Sequence, residues 1–327
     1  MAERRIGAGA SLSEADVIAA LRPLAKTAPA RGLMDDAAVW LPPLGRELVL
    51  THDTIAEGIH YLPADDPSDI AWKLVATNLS DLAAKGAMPA GVLLGLTLAG
   101  QSEGWIERFA GGLKRVLDEH DTALFGGDTV LAERTVLGCT AIGHVSRGHA
   151  LSRAGAGAGD RIYVSGTIGD AGLGLAARRG EAASDRFLER RYRLPMPRLA
   201  IGQGLRAAGA TAAMDVSDGL LIDAKRMALA SDLGARIDLA RLPLSPAAAS
   251  RLPAGTAGRL QAATAGDDYE LLFAAPPDCH PALVTLCEGE GIRLTEIGAL
   301  ERGAGLSVSG VDGEDVMPVR LGYEHGT

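Results

Sequence analysis

The chain has 327 residues, of which 47% are hydrophobic and 22% charged, and its formal net charge is −9. That length exceeds one ordinary domain, and the apolar fraction excludes a disordered chain. The acidic balance, with no basic stripe, speaks against nucleic acid as a partner, and any anionic substrate will need cations to enter.

The N-terminal MAERRIGAGASLSE holds no apolar stretch that could serve as a secretion signal, and the longest apolar run, Gly91 to Gly100, is too short to span a bilayer. Cys139, Cys279 and Cys287 show no CxxC spacing, so reduced thiols in a cytoplasmic protein without membrane contact are expected. Ser13 caps a helix that carries Val17, Ile18 and Leu21 and stops near Pro23. Asp35-Asp36 then runs into a short apolar strand through Val39 and Trp40, and Glu47 to Thr54 reads as a second strand. Asp66-Pro67-Ser68 opens a helix with Ile70, Leu74, Val75, Leu79 and Leu82 on its apolar face. Strand Gly91 to Leu98, helix Gly104 to His120, strand Ala123 to Phe125 leading into Gly126-Gly127-Asp128, and strand Val136 to Val145 complete the first half.

The Gly- and Ala-rich stretch Ser146 to Asp160 marks the expected boundary between a domain over 1–149 and a domain over 150–327. Beyond it come strand Arg161 to Ser165, a Gly-rich turn and helix over Gly166 to Gly180, and strand Ala212 to Val216. Helix Leu220 to Ser231 and a core strand Tyr269 to Ala275 follow. Strands and helices alternate in both halves, so the class is α/β or α+β; periodicity does not give the strand order.

Aspartate recurs beside short apolar segments: Asp35-Asp36, Asp53, Asp81, Asp128, Asp215, Asp218 and Asp267-Asp268. A carboxylate at the end of a buried strand needs compensation, and magnesium, which takes one or two carboxylates plus water and phosphate oxygens, supplies it. The competing reading makes them helix caps and turn residues, Ser217 or Asp218 capping the next helix, for example. Gly126-Gly127 would let a backbone approach a phosphate, although a tight turn is the commoner meaning. Gly166 to Gly172 is only loosely like a dinucleotide loop, and no GxGxxG, Walker GxxxxGK[ST] or GxSxG occurs.

Six segments in order resemble the thiamine-monophosphate kinase family, within the superfamily of aminoimidazole ribonucleotide synthetase. They are Asp35-Asp36-Ala-Ala-Val, Thr51-His52-Asp53-Thr with Glu57-Gly-Ile-His60, and Asn78-Leu-Ser-Asp81-Leu-Ala-Ala, then Gly126-Gly127-Asp128-Thr, Asp215-Val-Ser217-Asp218-Gly-Leu and Asp267-Asp-Tyr-Glu-Leu-Leu. The resemblance implies a two-domain fold of that superfamily, each domain a mixed sheet with helices packed on it. It implies ATP-dependent conversion of thiamine monophosphate to thiamine diphosphate with several Mg2+, and a homodimer built through the N-terminal domains, which would hold metal and ATP while the C-terminal domain holds substrate and ATP. Asp36, Thr51, His52, Asp53, Asp81, Asp128, Asp215 and Asp218 fall on its magnesium positions, with Asp128 and Asp218 the residues on which catalysis is expected to depend. Gly127, Asp128, Arg153 and Ser217 fall on ATP contacts, and His60, Asp267 and Tyr323 on substrate contacts. Met34, His52, Lys85 and Asp267 depart from the family pattern, which more usually has Gly, Thr, Met and Glu there. The alternatives are another ATP-dependent enzyme of the superfamily or a nucleotide-binding module without turnover. Among the relatives, the Gly-rich segment with Lys of aminoimidazole ribonucleotide synthetase, the early reactive cysteine of selenophosphate synthetase and the cysteine tail of the hydrogenase maturation protein are not seen in this sequence.

Overall fold

The computed structural model describes residues 12–316 and 318–324. Most of the N-terminal stretch read for a secretion signal, and the last three residues, lie outside them. The chain forms two compact units: the first takes residues up to Leu44, Leu50–Asn78 and Pro89–His144, and the second Gly45–Val49, Leu79–Met88 and the chain from Val145 onward.

In the first half of the chain the elements are α1 (Glu14–Leu21), β1 (Arg46–Ala56), α2 (Pro67–Ala84), β2 (Met88–Leu98), α3 (Glu103–Glu119), β3 (Ala123–Leu131) and β4 (Val136–Ser146). Ser13 and Asp16 close a reciprocal capping box on α1, which fixes where the helix begins. The strands form one sheet in the order β1-β4-β2-β3, with β2 and β3 parallel. α3 buries Ile106, Phe109, Leu113 and Val116 along one stripe, as its spacing requires. α2 is buried far beyond an apolar face: besides Ile70, Leu74, Val75, Leu79 and Leu82 it buries Lys73, Thr77, Asn78 and Ser80.

Two expectations need correcting here. The segment after Asp35-Asp36 is not a strand: residues 38–40 are irregular, and Val39 is 58% exposed, donating its N–H to the Pro29 carbonyl rather than to a ladder. Nor do Gly126-Gly127-Asp128 leave the strand. They continue β3, paired with Leu93, Leu94 and Gly95 of β2. A Cβ on Gly127 would stand 2.2 Å from the Leu94 carbonyl oxygen, so glycine is required by the approach of two strands and not by a turn.

The second half contributes β5 (Arg161–Ser165), α4 (Asp170–Arg178), α5 (Arg186–Arg193), α6 (Leu199–Leu205), β6 (Ala212–Asp215), α7 (Leu220–Ala230) and β7 (Gly234–Asp238). It continues with α8 (Pro246–Ala249), α9 (Thr256–Ala263), β8 (Leu271–Ala275), α10 (His280–Gly289), β9 (Leu294–Glu301) and β10 (Gly305–Ser309). The six-stranded sheet runs β10-β7-β9-β5-β8-β6, parallel between β7 and β10 and antiparallel elsewhere. Alternation divides its faces: Ile162, Val164, Met214 and Leu272 pack with Leu220, Leu221 and Met227 of α7, whereas Tyr163, Ala213, Leu271 and Phe273 pack with Ile201, Leu205 and Leu283. Both faces are covered, so β5, β6 and β8 are apolar throughout and can place a polar side chain only at their ends. Asp215 stands at such an end.

Candidate active site

In the first unit, a cavity of about 680 Å3 is lined by Asp35, Asp36, Trp40, His52, Gly126, Gly127, Asp128 and Thr140, with Leu94, Leu96 and Phe125 among its apolar walls. β3 brings Asp128 to it, and the irregular segment after α1 brings Asp36. Trp40 is fixed by stacking on His144, ring centroids 6.2 Å apart. His52 enters through its side chain: Nδ1 lies 2.9 Å from the Thr140 hydroxyl and Nε2 3.3 Å from that of Thr54.

Thr51 and Asp53 do not line this cavity. As strand neighbours of His52 they point to the opposite face. There the Asp53 N–H donates to Asn78 Oδ1 at 2.9 Å, and its carboxylate helps to push the buried Cys139 thiol upward, after burial itself. His60 closes its own turn, Nδ1 accepting the Ala56 N–H at 3.1 Å and its carbonyl taking the Lys73 ammonium at 2.9 Å.

A second set of site residues meets in the second unit. Buried Ser80 donates its hydroxyl to Asp215 Oδ2 at 2.6 Å, and Asp81 is its sequence neighbour on α2. One turn on, Lys85 donates to the Ala213 carbonyl at 3.3 Å. Burial first and Arg153 second pull the Lys85 ammonium below the ordinary lysine range, and Asp215 and Asp81 push it back. β6 then delivers Val216, Ser217 and Asp218 as a loop before α7.

Neither Ser217 nor Asp218 caps α7, which has Gly219 at its N-cap and no side-chain cap bond. Instead Asp223, inside the helix, accepts the N–H groups of Ser217 and Asp218, each at 3.2 Å, and so folds the loop back. Arg226 bridges the two carboxylates, 2.5 Å from Asp218 and 2.9 Å from Asp223. Burial, and then the Asp218 charge, push the Asp223 carboxyl up to about 6.

Asp267 is tied to the same loop: its N–H donates to the Ser217 carbonyl at 2.7 Å and its carboxylate accepts the Tyr269 hydroxyl at 3.0 Å. Asp267 and Tyr269 both hold left-handed backbone, with φ of 64° and 50°. Two such non-glycine residues so close together are a feature of functional sites. The Tyr323 N–H donates to the Asp218 carbonyl at 2.8 Å, and a Cβ on neighbouring Gly322 would fall 2.4 Å from that oxygen. Ser217, Asp218, Asp267 and Tyr323 therefore share one neighbourhood. Arg153 bears on the Lys85 side of this unit through its charge.

Asp268 parts company with Asp267. It is fully buried, and both its oxygens accept the Gly169 N–H, at 3.0 and 2.9 Å. The Gly-rich loop thus takes a carboxyl group, and that group is the protein's own. Beside it Glu270 is gripped by Arg198 and Arg191 and by the Ser165 hydroxyl, and Asp170 by Ser245 and Thr167. Sequence reasoning missed this network along with Ser80, Asp223 and Arg226; no local spacing signals it, because its members lie up to 105 positions apart.

Among the described residues no three His, Cys, Asp or Glu side chains stand close enough to hold a metal ion by themselves. The donors are hard carboxylate oxygens offered singly or in pairs. That set fits magnesium, which completes its shell with water and phosphate oxygens.

Comparison with known proteins adds the following. Residues 34–145 match the family described as AIR synthase related protein, N-terminal domain, and residues 157–311 match the corresponding C-terminal domain. The thiamine-monophosphate kinase of Caulobacter vibrioides is 43% identical over 327 residues, covering 98% of this chain and 92% of that one. The crystal structure of the thiamine-monophosphate kinase of Stenotrophomonas maltophilia K279a superposes with a TM-score of 0.83 at 42% identity, over 94% of this chain and 98% of that one. A further structure, AaThiL complexed with AMPPCP and TMP, gives a TM-score of 0.76 at 30% identity over 87% and 89% of the two chains.

Proposed function

This chain belongs to the thiamine-monophosphate kinase family, and on that premise we propose that it transfers the γ-phosphoryl group of ATP in line to the phosphate of thiamine monophosphate, giving thiamine diphosphate and ADP. The relationship over 98% of the chain is the observation that supports this most. The attacking oxygen belongs to a phosphate monoester whose second ionisation lies near pH ~6, so it is already an anion at neutral pH and no general base is required. The barrier is the approach of two anions and the charge spread over the transferring group, which positioning and electrostatics must overcome. Magnesium, when bound, neutralises that charge.

The chain's own residues then divide the work. Asp36, His52, Asp128 and the Gly126-Gly127 backbone of the first unit are assigned to metal and nucleotide phosphates, with Thr51 and Asp53 as further metal residues on the other face of β1. In the second unit Asp81, Asp215 and Asp218 are assigned to metal, Ser217 and Arg153 to the nucleotide, and Asp267 and Tyr323, with His60 of the first unit, to the substrate. Asp223 and Arg226 hold the Ser217–Asp218 loop in shape. Cytoplasmic location, the roles of residues 1–149 and 150–327, and a homodimer through the N-terminal part belong to the same reading; among the described residues no helix is long and apolar enough to cross a membrane.

The test is incubation with Mg-ATP and thiamine monophosphate, following ADP and thiamine diphosphate. Asp128→Asn and Asp218→Asn should each abolish turnover with the fold intact by circular dichroism, and near-normal rates in either contradict its metal role. Label from γ-labelled ATP trapped on the protein in a rapid quench, ahead of product, would overturn direct transfer.

A further inference from the structure

Lys85, the first residue after α2, reaches β6 near its Asp215 end. It follows Asp81 by one helical turn, and its ammonium meets the carbonyl of Ala213, two residues before Asp215, at 3.3 Å. Among the described residues that long bond is the one its ammonium makes, out of three donors. The charges bearing on it are those of Asp215 and Asp81, which favour it, and of Arg153, which opposes it. Asp215 is itself only 4% exposed, with the Ser80 hydroxyl as a neutral donor, so a carboxylate held this far from water gains from a fixed cation beside it.

We infer that Lys85 is a built-in counter-ion for Asp81 and Asp215, one that stabilises the two carboxylates without metal and weakens magnesium binding there by the charge it already supplies. This rests on the magnesium reading of those two aspartates. Lys85 is a positioning residue: it acts through the carboxylates and touches no reacting atom.

Calorimetric titration of Mg2+ alone into the metal-free full-length protein tests it. Lys85→Met and Lys85→Gln should both bind magnesium on the order of tenfold tighter, since a positive charge that bears on Asp81 and Asp215 has been removed. Both should melt lower than wild type without metal and recover more on adding it. Lys85→Arg, which keeps the charge, should stay within about twofold of wild type. The Gln variant retains an N–H donor for Ala213, so a role confined to that hydrogen bond predicts wild-type magnesium affinity for it, and that result overturns the inference. Unchanged or weaker binding in Lys85→Met does the same. Asp215→Asn reports separately on the premise: undiminished binding there removes the magnesium reading of Asp215, and the counter-ion role with it.

Discussion

Asp267 and Asp268 are adjacent in sequence and opposite in circumstance. The first stands in left-handed backbone beside Ser217 and Tyr269, whereas the second is buried with one backbone donor, Asp170 and Glu270 close by, and Arg191 in partial compensation. Burial pushes the Asp268 carboxyl from 3.8 up to about 8, opposed by the Gly169 N–H and Arg191. An unfolded chain releases this proton near pH ~4, so between there and about 8 the folded state holds the extra proton. Stability from this group is therefore complete below the unfolded value and is lost as pH rises through the folded one. Asp268→Asn keeps an oxygen for the Gly169 N–H and removes the titration. Denaturant unfolding should find it close to wild type at pH 3, below the unfolded value, and more stable at pH 9, by on the order of a few kcal/mol. A parallel pH dependence in the two proteins would count against the protonated form. The sequence groups the two as a single acidic pair because composition carries no information on which side of a loop each carboxylate takes. The same reasoning explains Thr51, His52 and Asp53: their residue types are legible, but strand alternation separates them.

Helix α3 shows how two adjacent glycines carry opposite meanings. Gly111 faces open space, with nothing within 4 Å of an added Cβ, whereas a Cβ on Gly112 would lie 2.1 Å from the Ser68 carbonyl oxygen at the start of α2. Gly111→Ala should stabilise by roughly 0.5–1 kcal/mol through helix propensity. Gly112→Ala should cost about 2 kcal/mol or more, because backbone must move. Urea unfolding of the two variants gives opposite signs if the helices approach as described. Glycine is likewise why the reading of β3 stops early: a Gly-Gly pair signals a turn when only local preference is known, and the Leu94 carbonyl that demands it lies on another strand. Elements with strong contrast, such as α2, β2, α3 and β5, are read nearly to their ends. α5 escapes, its RFLERRYR burying only Leu188 and Tyr192, and so does β10, where only Val308 is buried. A single buried residue or one i,i+4 pair is too little to stand out from a solvated segment.

At the scale of the whole molecule, apolar side chains remain in water where a soluble monomer would seldom leave them. Val39, Leu41, Leu50, Val130 and Leu131 of the first unit are all exposed, Leu41 by 90%. β1 and β3, which carry three of them, are the outer strands of their sheet, where unpaired backbone invites association. Leu50 shares its face of β1 with His52, by alternation, so this exposed leucine and the acid-lined cavity lie on one side of that strand. A copy of the chain covering this face would bury Leu50 and close over the cavity together, and burial has to outweigh the repulsion between two chains of charge −9. If the chain pairs through this face, Leu50→Asp is expected to convert dimer to monomer in sedimentation velocity, since it puts a charge where an exposed leucine stood. The same variant should lose ATP-dependent turnover although Leu50 itself is assigned to neither nucleotide nor metal. Monomer with undiminished turnover would separate the two roles and confine the apolar face to assembly. Dimer at all concentrations would place the contact elsewhere on the chain.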